Sequence, residues 1–212
     1  KQERYGFMFN TDEAVKLYSK LNARRLELEE QLQKLFPPKL ERTPFIPKVN
    51  NKTRGYVKGK TFYKEKMITF NPSSRHHIAD RLIERHNWKP LEYTNDGKPK
   101  LDETVLASLP YPEAKVLCEH FLLDKRIGQL ATGAQAWLKN EISGRIHGTC
   151  NTNSTVTARA SHTNPNLGQV PSVTVPYGKE CRSLFTVPKG KKLVGIDISG
   201  LEVRMLAHFM SK

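Results

Sequence analysis

The sequence predicts an α+β fold, with a helical first part followed by short strands and loops. Two long apolar periodicities of helical spacing, about residues 14–35 and 113–139, mark the helical part. From Gly144 onward the pattern changes to short extended segments. Near the end an apolar run, Leu193-Val194-Gly195-Ile196, reads as a buried strand that delivers one carboxylate, Asp197, to a Ser-Gly turn and a further helix.

The elements follow in order. Thr11 reads as an N-cap, with Asp12 and Glu13 in the first turn, where the helix dipole favours acids. Ala14, Leu17, Tyr18, Leu21, Leu28, Leu32 and Leu35 then form one stripe, and Pro37-Pro38 ends the helix. The opposite face is charged, so the stripe is a packing surface for an antiparallel partner, supplied by the second pattern. Phe70-Asn71-Pro72-Ser73-Ser74 opens another helix, with Ser73 or Ser74 capping and Ile78, Leu82 and Ile83 facing inward. His76, His77 and His86 lie on it without a Cys or acid at ligand spacing, and read as solvated or phosphate-facing. Asn95-Asp96-Gly97-Lys98-Pro99 is a turn, and Leu101–Leu109 a short helix. Pro110 and Pro112 introduce the second long helix. Arg145–Cys150 is extended. Leu201, Met205 and Phe209 share one face of the last helix.

Residues 37–66 differ in composition. They hold nine cations (Lys39, Arg42, Lys48, Lys52, Arg54, Lys58, Lys60, Lys64 and Lys66) against Glu41 and Glu65, half of the chain's excess of +14. Four prolines and two glycines, with Phe45, Tyr56, Phe62 and Tyr63 between the charges, leave no helical periodicity. One reading is a solvated loop. The other is a basic, hairpin-like arm that neutralises phosphates, with Lys52, Arg54, Lys58 and Lys60 as the contacts.

A chain of 212 residues is enough for one ordinary domain or two small ones. Its 35 Lys and Arg against 21 acids, and a sequence pI near 9.7, favour a polyanionic partner, although such an excess also serves general solubility. Cys118, Cys150 and Cys181 stand far apart, without paired metal spacing, and read as free thiols of a reducing, cytoplasmic compartment. No apolar run is long enough to span a bilayer. With Lys1 rather than Met at the start, the chain is expected to be a piece of a longer one.

A carboxylate where a strand stops is placed to hold a metal ion on a stiff element, and magnesium takes one or two such carboxylates plus substrate phosphates. The same arrangement also occurs where the Asp only caps the helix. The residues around it add to the signal. Upstream lie Thr157-Ala158-Arg159, then Pro165-Asn166-Leu167-Gly168-Gln169-Val170-Pro171, then Arg182 within Tyr177–Phe185. Followed by Asp197-Ile198-Ser199-Gly200-Leu201-Glu202-Val203-Arg204, they resemble family A DNA polymerases. Phe70-Asn71-Pro72-Ser73-Ser74 and Lys125-Arg126-Ile127-Gly128 are similar to the thioredoxin-dependent replicative polymerases of short-tailed phages, so the resemblance spans almost the whole chain.

The resemblance implies a fragment of a right-hand polymerase. Residues 1–143 would be a helical thumb carrying the basic insertion 37–66, and 144–212 the first part of the palm, ending just after motif A. It implies DNA-directed DNA polymerase activity in phage-type replication, in the host cytoplasm. Two magnesium ions would serve the complete enzyme, with Asp197 and the backbone carbonyl of Ile198 as ligands. The second carboxylate, the fingers and the rest of the palm belong to later motifs, so the 212 residues alone are expected to be inactive. Glu202 would close off the space around the sugar C2′ and so select deoxyribose, although an acid at a helix start is also favoured by the dipole alone. Arg204 is expected in a structural ion pair. Arg159 offers a guanidinium fork to minor-groove acceptors present at every base pair. Asn166, Gln169 and Arg182 match positions near the template–primer terminus. Ala158 stands where the family usually has Gly, and Gly168 where some bacterial relatives have Gln. The partners are primer–template DNA and a deoxynucleoside triphosphate. The insertion is shorter than the usual thioredoxin-binding form, which argues against that partner. An alternative from another class is a non-catalytic DNA-binding subunit of a split polymerase, or a degenerate fragment.

Overall fold

The long leucine stripe folds as its period demands. In the computed structural model, which describes residues 2–157 and 159–211, the elements follow in this order. They are α1 (Gln2–Tyr5), β1 (Phe7–Phe9), α2 (Thr11–Leu35), β2 (Lys39–Phe45), β3 (Phe62–Ile68), α3 (Arg75–His86), α4 (Glu103–Ser108) and α5 (Pro112–Ile127). Then come β4 (Glu141–Ile142), β5 (Arg145–Ile146), β6 (Thr149–Asn151), β7 (Ser161–Thr163), α6 (Gly178–Ser183), β8 (Phe185–Thr186) and α7 (Leu201–Met210). The chain divides into two compact units, Val15–Lys139 and a second made of Lys1–Ala14 with Asn140–Lys212. The described residues form both helices and strands, as the α+β expectation required. No helix among them is long and apolar enough to cross a membrane.

In the unit Val15–Lys139, α2 and α5 are cross-tied. Arg24 donates to both carboxylate oxygens of Glu119 at 2.7 and 3.1 Å, and Arg25 meets Asp124 at 3.2 Å. The buried His120 lies 3.3 Å from Glu29. Residues 25 and 29 meet 124 and 120 in reverse order, so the helices run antiparallel. Glu119 and Glu27 hold the Arg24 guanidinium above its already high ordinary pKa. Leu32, Ile78, Leu82, Leu106 and Leu117 are fully buried in one cluster, with Phe36 tilted on Phe70 at 4.6 Å.

Several local expectations change here. The helix cap is Asn10 rather than Thr11: its side chain accepts from the Glu13 amide at 3.2 Å, and Thr11 is the first helical residue. Ser74 caps α3 as expected, and Ile78 and Leu82 are buried, but Ile83 turns outward because it lies off their stripe. His86 is not solvated; it stacks on Tyr111 at 3.9 Å, beside the buried Glu113 carboxylate, which Arg85 meets at 3.1 Å. The second long pattern is broken. α5 stops at Ile127, and a wider π turn runs Gly128–Thr132 before a 3₁₀ turn at Trp137–Lys139. The apolar period persists because Leu130, Ala136 and Trp137 are buried, while two glycines of poor helix propensity release the backbone. A Cβ on Gly133 would meet the Gly128 carbonyl oxygen at 2.6 Å.

The second unit is built on an antiparallel sheet of order β4-β5-β1-β8. Phe7 pairs with Ile146, and Phe9 pairs with Phe185, their rings edge to face at 5.4 Å. β6 and β7 form a separate ladder, Thr149 opposite Thr163. The expected strand at Leu193–Ile196 does not form. The run is irregular and exposed, Ile196 at 90%, and among the described residues no strand pairs with it. An apolar run becomes a strand only where a neighbour completes its ladder. The last helix forms as expected, with Leu201, Met205 and Phe209 exposed.

Candidate functional site

The chemistry-bearing residues outside the basic segment lie in the unit containing Asn140–Lys212. Thr155 folds the loop before β7. Its hydroxyl accepts from the Arg159 amide at 2.8 Å and donates to the Arg159 carbonyl at 2.9 Å. That clasp leaves the Arg159 side chain projecting, where its Nη2 pairs with the Glu202 carboxylate. Ala158 lies outside the described residues.

Asn166 accepts the Gly168 amide at 3.1 Å and so caps the single turn Leu167–Gln169. Gln169 is exposed on that turn. Arg182, on α6, reaches back to the carbonyls of Pro171 and Val170 at 2.7 and 3.4 Å. With Phe7, Leu167, Val170 and Phe185 it lines a cavity of about 260 Å³. Asn166 and Arg182 therefore both shape the loop 166–171. This holding role of Arg182 was not legible in the motif, because its acceptors are backbone carbonyls that carry no residue-type signal.

Asp197 and Ile198 sit in the exposed run before α7, and among the described residues Asp197 makes no ion pair. Asp197 does not cap the helix. The cap position is Gly200, in the left-handed region at φ 62°, and it makes no side-chain cap bond. Glu202 stands in that first turn. Arg204 was expected in an ion pair, but it donates to the Ser199 carbonyl at 3.0 Å, because that carbonyl faces it across the turn. Among the described residues no three His, Cys, Asp or Glu side chains cluster as a metal site.

The basic segment folds as a hairpin, described within its own unit. β2 and β3 pair over seven residues, from Lys39 opposite Ile68 to Phe45 opposite Phe62. Lys39 meets Glu84 of α3 at 2.8 Å. That bond, then the charges of Lys39 and Arg81, hold the Glu84 carboxyl below the ordinary range against its burial. Lys52, Arg54, Lys58 and Lys60 are exposed on the connecting loop.

The family described as DNA polymerase family A matches residues 48–212. The chain belongs to this family. It is 39% identical over 266 aligned residues to the DNA-directed DNA polymerase of Escherichia phage T7, covering 100% of this chain and 38% of that one. It is 32% identical over 143 residues to the thermostable DNA polymerase I of Thermus thermophilus, covering 66% of this chain and 17% of that one. Its fold is similar to the POL domain of Pol1 from M. smegmatis, solved in complex with DNA primer-template and dNTP. The TM-score is 0.65 at 20% identity, covering 89% of this chain and 28% of that one. This family A chain therefore spans 38% of the length of its phage T7 relative.

Proposed function

We propose that this chain is the thumb and the first part of the palm of a phage-type, DNA-directed DNA polymerase. Residues 1–143 form the thumb and 144–212 the palm. The observation that carries the proposal is the segment Asp197–Arg204 within the family match. It lies on an exposed turn leading into α7, with Glu202 joined to Arg159.

The reaction extends a DNA primer: its 3′-hydroxyl attacks the α-phosphate of a deoxynucleoside triphosphate, and pyrophosphate leaves. The M. smegmatis relative, solved with primer-template and dNTP, supports these substrates. Asp197, exposed and without an ion-pair partner among the described residues, fits magnesium's demand for one or two carboxylates beside substrate phosphates. Asp197 and the Ile198 carbonyl would be ligands in a site for two magnesium ions in the complete enzyme, and the two ions together would stabilise the attacking and leaving oxygens. The other residues position substrate. Arg159 offers N–H donors to minor-groove acceptors, which test duplex shape rather than sequence. Glu202 walls off the sugar C2′ and thereby excludes ribose. Asn166 and Arg182 hold the loop that turns Gln169 outward at the primer terminus.

Processive synthesis is proposed to need no thioredoxin. The alignment with the phage T7 enzyme runs over 266 residues, more than the 212 here, which supports a shortened segment in this chain. Its three free cysteines suit the reducing host cytoplasm. The deciding experiment is primer extension by the complete polymerase carrying Asp197→Asn. Loss of extension with duplex binding retained is expected; near-normal extension with magnesium overturns the proposal.

A further inference from the structure

One hydroxyl holds the backbone of Arg159 on both sides of its Cα. A threonine hydroxyl has one proton and two acceptor lone pairs. In Thr155 all three are engaged. Its Oγ1 accepts from the Arg159 amide at 2.8 Å and donates to the Arg159 carbonyl at 2.9 Å. It also lies 3.3 Å from the Thr157 hydroxyl, whose proton fits the remaining lone pair. The Arg159 amide and carbonyl belong to the two planar peptide groups that flank its Cα, so anchoring both fixes the direction of the Cα–Cβ bond. At the far end of the side chain, Nη2 is held by Glu202. Among the described residues Nε and Nη1 have no partner, which leaves their N–H donors for a ligand.

We propose that Thr155 is a positioning residue: its hydroxyl aims the Arg159 guanidinium at the minor-groove acceptor of the primer-terminal base pair and, through the same guanidinium, orients Glu202. This rests on the polymerase reading of Arg159 and Glu202 and adds the residue that presents them. A long arginine side chain gives up rotamer freedom when a ligand orders it. A guanidinium already held at its backbone and at one nitrogen has given up much of that freedom before DNA arrives. The hydroxyl carries the role rather than the bulk of the side chain. Serine can therefore replace threonine at this position, and valine, which has the same shape and no hydroxyl, cannot.

The test compares the complete polymerase with its Thr155→Val, Thr155→Ser and Arg159→Ala variants. Thr155 is exposed, so neither change there opens a cavity in a core. Single-nucleotide addition is measured on primers ending in adenine or in 3-deazaadenine, which lacks the N3 acceptor of the minor groove. In the parent, loss of the acceptor should lower kcat/KM about tenfold or more, as befits a hydrogen bond from a charged donor. In Arg159→Ala the two primers should be equivalent. In Thr155→Val the ratio should shrink to about threefold or less, and in Thr155→Ser it should return to the parent value. Discrimination against ribonucleotides should also weaken in Thr155→Val, and adding this change to Arg159→Ala should cost nothing further. A Thr155→Val enzyme that keeps the parent ratio overturns the positioning role. So does a Thr155→Ser enzyme that behaves like Thr155→Val. A parent indifferent to the missing N3, or an Arg159→Ala enzyme that keeps the ratio, defeats the minor-groove reading of Arg159 and the proposal with it.

Discussion

Arg159 and Glu202, 43 residues apart in sequence, form an ion pair that joins the loop before β7 to the first turn of α7. Both side chains are largely exposed, at 69% and 79%, so the pair contributes little to stability. Its consequence is geometric. The guanidinium expected at the minor groove also fixes the carboxylate expected beside the sugar. In the complete polymerase, Glu202→Ala should weaken discrimination against ribonucleotides, because a steric wall is removed. Arg159→Ala should weaken it in the same direction, and the double variant should lose less than the two single losses combined. Steady-state incorporation of ribo- and deoxynucleotides checks this; unchanged discrimination in Glu202→Ala would return it to a helix-start acid.

The 212 residues alone should bind primer–template DNA yet extend nothing. The net charge of +14 favours binding to the polyanion, and among the described residues no three His, Cys, Asp or Glu side chains cluster as a metal site. Filter binding at rising salt should show a steep loss of affinity. Primer extension by the isolated chain, or salt-independent binding, would contradict this.

Leu32 and Leu117 are fully buried in the cluster between α2, α3 and α5. Leu32→Ala should destabilise the unit Val15–Lys139 by about 2–5 kcal/mol, through lost burial and the cavity left behind. Urea denaturation followed by circular dichroism measures it. A loss below about 1 kcal/mol would show that the site collapses around the smaller side chain.

The Lys39–Glu84 bond, which ties the foot of the hairpin to α3, should respond to acid. The folded-state carboxyl lies below its ordinary value, chiefly through the Lys39 hydrogen bond. Its contribution is therefore complete above the ordinary carboxylate range and is lost as pH falls through the depressed folded value. Both groups are half exposed, so the effect is at most about 1 kcal/mol. Glu84→Gln should be less stable than the parent at neutral pH and equal to it in acid. A gap that persists undiminished in acid would refute the linkage.

Much was legible in the sequence because it is local. The stripe Ala14–Leu35, the Ser74 cap of α3, the short helix α4, and α7 with its Ser-Gly turn depend on residues within a few positions of one another, and the period of the side chains records them. The family motifs were legible for a similar reason, since a short segment carries each one. Tertiary structure decided the rest. β1 pairs with β5 and β8 from far along the chain, and a three-residue strand has too short a period to read. Leu193–Ile196 has the composition of a strand but no ladder among the described residues, and composition cannot supply a hydrogen-bonding neighbour. Gly128 and Gly133 let α5 widen and stop while its apolar period continued, because burial fixes the side chains and the backbone bonds yield. The ion pairs of Arg159 with Glu202 and of Lys39 with Glu84 arise only when distant charges are folded into reach.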